Sequence, residues 1–143
     1  MLAYIVAEGR GEADRCLVKV SEMLREAGVS MAGAVQFNIE TDPAYKCQMD
    51  LHILTGSDVV RISQDLGALS QGCRLDPEGL ERAVGLVAHA LEADPQVMIL
   101  NKFGKQEAEG RGFRPVIGAA LAAGIPVLLA VRDETLPAFH AFT

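Results

Sequence analysis

The chain has 143 residues, room for one domain around one core, and carries a net charge of −6. Apolar residues make up 50% of it, yet no stretch offers the ~18 uninterrupted apolar residues of a membrane span. The acidic balance, an aromatic content of 5% and the lack of tryptophan argue against a nucleic-acid binder, which needs basic surface and stacking rings.

The first residues, MLAYIVAEGRGEAD, have no basic region ahead of the apolar run and meet charge at Glu8, unlike a secretory signal. A cytoplasmic location is expected. Cys16, Cys47 and Cys73 form an odd, widely spaced set without a C-x-x-C pair. Neither a disulfide framework nor a structural zinc site is expected, and no metal ligand is assigned.

Leu2 to Val6 reads as a strand that breaks into a turn containing Gly9 and Gly11. From Ala13 to Ala27 the period is helical, with Cys16, Leu17, Val20 and Leu24 on the stripe expected to face the core, and Gly28 as the stop. Val29 to Phe37 reads as a second strand. Two alternating runs, residues 48–54 and 59–63, flank a Gly-bearing turn and predict a β-hairpin.

Residues 65–74 read as a loop. Asp76-Pro77 then opens a helix, with an acceptor at the cap and proline in the first turn. Residues 96–101 (QVMILN) form a continuous apolar run of the kind buried on both faces of a parallel sheet. Residues 102–112 read as a charged loop and 113–123 as a small-residue helix. Residues 125–131 (IPVLLAV) are another buried strand, and residues 132–143 a last helix or loop. The alternation predicts a single domain over residues 1–143, a three-layer α/β fold whose parallel sheet carries an inserted antiparallel hairpin. Ligands of such sheets sit beyond the carboxyl ends of the strands, which directs attention to residues 7–13, 64–76 and 102–112.

The first of these loops runs from a strand through glycines into a helix, an arrangement whose backbone N–H groups suit an oxyanion. Registered on the phosphate-binding pattern G-x-x-x-x-G-K-[ST], it places Glu8 at the first glycine, Ala13 at the second, Asp14 at the lysine and Arg15 at the hydroxyl. Asp14 sets a carboxylate where a triphosphate would need a cation. Two readings stand: a tight turn with acids favouring the helix start, or anion contact through Gly9, Arg10, Gly11 and Arg15.

The third loop, Asn101-Lys102-Phe103-Gly104-Lys105-Gln106-Glu107, resembles the D-E-I-G-K-M-E stretch of a family of small bacterial and archaeal P-loop nucleoside-triphosphatases. The glycine turn after strand one, the hairpin and the IPVLLAV strand agree in order. This resemblance implies a P-loop NTPase-like fold. It places Asn101 at the Walker B aspartate and Lys102 at the catalytic glutamate, so the charges that handle a Mg²⁺–triphosphate are neutralised or inverted. The stretch NKFGKQEAEGRGFRP, with QGCRLDP earlier, also resembles an uncharacterised bacterial family whose genes are found near those for molybdenum transport or nitrogen fixation. That resemblance implies a link to molybdate handling and assigns no catalytic residue.

Lys102, Lys105, Arg111 and Arg114, with Arg74 from the preceding loop, form a basic cluster on an acidic chain. Such a cluster suits a compact oxyanion (molybdate, sulfate, phosphate) or the phosphates of a nucleotide; the plainer reading is a solvated loop pairing with Glu107 and Glu109. Cys73, beside arginine and ahead of a helix start, is either a reactive thiol or a packed side chain. Three functions follow: a non-catalytic anion or nucleotide binder with Asn101, Lys102, Gly104, Lys105 and Arg111 at its site, an NTPase rewired around Glu107, and a homodimeric interaction subunit paired through the hairpin edge. No membrane or nucleic-acid partner is expected, and no cofactor is assigned.

Overall fold

The computed structural model describes residues 1–6, 11–39, 48–56, 58–63 and 75–143. Its strands are β1 (Leu2–Ile5), β2 (Met31–Ile39), β3 (Gln48–Ile53), β4 (Val59–Arg61), β5 (Val97–Phe103) and β6 (Val127–Val131). Its helices are α1 (Glu12–Glu26), α2 (Pro77–Ala90), α3 (Lys105–Ala108), α4 (Arg114–Ala122) and α5 (Leu136–Phe142).

The six strands form one sheet in the order β1-β6-β5-β2-β3-β4. β1, β6, β5 and β2 run parallel, and β3 and β4 extend the sheet as an antiparallel hairpin. The chain leaves β1, skips two positions to lay down β2, and later fills the gap with β5 and β6. Ligand crevices in open α/β sheets form where the strand order reverses in this way, beyond the carboxyl ends.

One face of the sheet is covered by α1. Leu17 is buried against Met31, Val35, Ile99 and Ala130, and fully burying such a leucine contributes about 1.5–3 kcal/mol. The other face is covered by α2, α4 and α5 through Leu80, Val87, Ile117 and Phe139. β5 is buried on both faces, with Met98, Ile99 and Leu100 wholly inaccessible, as its unbroken apolar run requires. β2 approaches β5 so closely at Gly33 (φ 121°) that a Cβ there would lie 1.8 Å from the Ile99 carbonyl oxygen. Only glycine fits.

The expected start of α2 is present: the Asp76 side chain accepts a hydrogen bond from the Glu78 N–H at 3.1 Å, with Pro77 opening the helix. Two expectations are corrected, and the C-terminal helix is present. Cys16 is exposed rather than part of the core, because the buried stripe of α1 runs through Leu17 and Ser21 and rotates Cys16 to its outer flank. Residues 102–112 are not one loop: Lys102 and Phe103 complete β5, and Lys105–Ala108 form a helical turn. The C-terminal residues form a 3-10 turn, Asp133–Thr135, and then α5, whose Phe139 is buried against Phe103 and Tyr4.

Among the described residues no helix is long and apolar enough to cross a membrane. His52 stacks on Phe37 with ring centroids 4.2 Å apart, His89 meets Glu92 on the surface, and His140 lies against Tyr4 and Phe139.

Candidate functional site

The site begins with an irregularity in β5. Leu100 pairs with Leu129 and Phe103 with Val131, so β5 carries one residue more than β6 across this interval. Such a bulge breaks strict side-chain alternation. Leu100 and Phe103, three residues apart, both enter the core shared with α2 and α4, while Asn101 and Lys102 between them line a cavity. Asn101 is 3% exposed, and its Nδ2 donates to Oε1 of Gln36 on β2 at 2.8 Å. This amide pair ties the carboxyl ends of β5 and β2 together without a charge.

Glu107 organises the segment that follows. It is 3% exposed. Its Oε1 accepts from the Gly104 N–H and its Oε2 from the Phe113 N–H, both at 2.9 Å, so one carboxylate holds both ends of the turn. Gly112 (φ 60°) lets the chain pass beside it, since a Cβ there would lie 1.8 Å from Oε2. The Gly112 N–H donates to Glu81 of α2 at 3.3 Å, anchoring the turn to the helix layer. Burial raises the Glu107 pKa above the usual 4.5, against the opposing pull of the Phe113 and Gly104 N–H groups and of the Lys102 cation.

The cavity encloses about 430 Å³ beyond the carboxyl ends of β5 and β6. Among the described residues Lys102, Lys105 and Arg132 bring three cations to it, and Glu107 is the acid in its lining. Met49, Ile62, Leu75, Leu80 and Phe113 supply its apolar wall. The Thr135 hydroxyl donates to the Phe103 carbonyl at 3.2 Å and holds the turn after β6 against the end of β5. Desolvation lowers the Lys102 pKa below the usual 10.5. The Arg132 cation lowers it further, and Asp14 and Glu107 act in the opposite sense. Among the described residues neither Lys102 nor Arg132 forms an ion pair.

Of the residues singled out in the sequence, Asn101, Lys102, Gly104 and Lys105 meet at this cavity. Gly11 and Arg15 line a different cleft of about 530 Å³ along α1, with Asp14, Lys19, Gln36 and Phe37. Gln36 lines that cleft while bonding Asn101 in the cavity, so the two meet at the β2–β5 boundary. Arg111 is not in this lining: its guanidinium pairs with Glu109 and donates to Oε1 of Gln106, which is in it. Arg114 is likewise elsewhere, over the Phe142 ring at 5.2 Å. Gly9, Arg10, Cys47, Cys73 and Arg74 lie outside the described residues.

Sequence reasoning missed Arg132 and the apolar wall. Arg132 directly follows the buried strand β6, so the rule that directed attention to the ends of the other parallel strands would have found it. The wall is assembled from β3, the residues flanking β4 and α2, and residue 113, and no local pattern announces that convergence.

The chain aligns at 37% identity over 143 residues with the molybdenum import ATP-binding protein ModC 2 of Bradyrhizobium diazoefficiens. The alignment covers 99% of this chain and 16% of that protein, so the chain spans about a sixth of the length of the curated relative it matches. No solved structure matches the chain. Residues 2–143 match the family described as "Protein of unknown function (DUF2478)", and the chain belongs to that family.

Proposed function

We propose that this chain is a non-catalytic binding module of P-loop-like type that takes a small anion, a nucleotide phosphate or an oxyanion such as molybdate, sulfate or phosphate, in the cavity beyond β5 and β6. One observation carries the proposal. Lys102 and Arg132 stand together at a partly desolvated cavity, neither in an ion pair among the described residues, on a protein of net charge −6. Like charges held together in a low-dielectric setting cost stability, and a bound anion relieves that cost. Lys102, Lys105 and Arg132 contact the anion; Asn101 and Glu107 hold the frame.

Support for the P-loop-like type comes from the parallel strands, the left-handed Gly11 that opens α1 and a strand order in which β6 and β5 lie between β1 and β2. Support for a nucleotide or molybdate comes from the name of the relative, which couples ATP binding to molybdenum import. The neutral Asn101–Gln36 pair and the engagement of both Glu107 oxygens by main-chain N–H groups leave these residues ill suited to hold Mg²⁺.

The test is calorimetric titration with phosphate, sulfate, molybdate, ATP and GTP, on the native chain and on Lys102→Met/Arg132→Met. Saturable binding by at least one anion, weakened tenfold or more in the double variant, is expected. No heat from any of them at millimolar concentration, or equal binding by the double variant, would contradict the proposal.

A further inference from the structure

The cavity is chemically two-sided. Its cations come from the end of β5, from α3 and from the turn after β6; its apolar wall comes from β3, from Ile62 and Leu75 and from the start of α2. β6 and β3 are three steps apart in the sheet, which is about 14 Å at ~4.8 Å per strand. The lining therefore reaches from the β6 end across β5 and β2 to the hairpin.

A bare tetrahedral oxyanion does not use such a space. Taking ~30 Å³ per water-sized oxygen, it fills on the order of 100 Å³, against a cavity of about 430 Å³. Held at Lys102 and Arg132 it would leave the apolar wall in water. Cavities of roughly 300–1,000 Å³ with mostly apolar lining and a few polar groups are the size and chemistry of sites for organic ligands.

Resting on the anion site proposed above, we infer that the ligand is an organic anion: a phosphate, sulfate or carboxylate at the Lys102–Lys105–Arg132 end carrying an apolar or planar ring body that lies along Met49, Ile62 and Phe113. Free inorganic oxyanions occupy only the cationic end and bind more weakly. The side-chain amides of Asn101 and Gln106, both in the lining, offer hydrogen bonds to ring heteroatoms.

The experiment compares inorganic phosphate, molybdate, phenyl phosphate and 1-naphthyl phosphate by calorimetry at fixed pH and ionic strength. Affinity is expected to rise with ring size, 1-naphthyl phosphate binding at least tenfold tighter than phosphate with a more negative heat-capacity change. Met49→Gln should remove most of that gain and leave phosphate affinity unchanged. Leu75→Thr serves the same purpose if the first variant fails to fold. Equal affinity for phosphate and naphthyl phosphate, with dependence on Lys102 and Arg132 retained, would overturn this inference and leave the anion site standing. Naphthyl phosphate binding that survives Lys102→Met/Arg132→Met would overturn it as well. Failure of every probe would overturn the anion site itself.

Discussion

Oε2 of Glu107 occupies the space in which a side chain at residue 112 would begin: a Cβ on Gly112 would lie 1.8 Å from it. The same oxygen accepts the Phe113 N–H, so moving it aside strips a buried amide of its partner. Gly112→Ala combines that loss with a left-handed backbone (φ 60°) that favours glycine. Urea denaturation should show a loss of about 2–5 kcal/mol, from about 1–3 for an unsatisfied buried donor plus about 1–2 for the backbone. A variant as stable as the parent would show that the turn does not depend on this contact.

Glu107→Gln keeps the shape and removes one acceptor, because the amide NH₂ must face one of two N–H donors. A loss of about 1–3 kcal/mol is expected. The pH dependence carries the sign of the burial effect. The folded pKa of Glu107 is raised, so its favourable contribution is full below the usual 4.5 and is lost as pH rises through the folded value. The gap in stability between native chain and variant should therefore narrow on going from acid to neutral pH. A gap that widens would mean that the two N–H bonds outweigh burial.

Lys102 is predicted to cost stability in the empty protein. Its folded pKa is lowered, so its contribution is favourable above the usual 10.5 and is lost as pH falls through the folded value. At neutral pH, Lys102→Met should raise stability by about 0.5–2 kcal/mol, the common range for a single stabilising substitution. The gain should shrink toward pH 10.5. Thermal melts at pH near 7 and near 10 measure both parts; destabilisation at neutral pH would show that Lys102 is a structural cation.

Much of the frame was legible because it is written locally. Asp76-Pro77 announces a helix start, the unbroken 97–100 run announces a strand buried on both faces, and two alternating runs announce the hairpin. What escaped depends on tertiary context. A bulge after Leu100 decides that Asn101 and Lys102 face the cavity, and nothing in NKFGKQE specifies it. Cys16 fits the apolar stripe by spacing, yet α1 rotates it outward because Leu17 and Ser21 sit over the sheet. Arg111 reads as a site cation from proximity in sequence, and it pairs with Glu109 two residues away. Arg132, 30 positions after Lys102, joins it only because β6 lies beside β5.

The most direct test of the anion site is the affinity for sulfate, whose charge is constant between about pH 6 and about pH 10, followed by calorimetry across that range. A site that needs protonated Lys102 should bind more weakly as pH rises through its lowered pKa. Lys102→Arg, charged throughout, should bind with little pH dependence, and Lys102→Met weakly at every pH. Sulfate affinity that is the same in all three proteins would contradict the account.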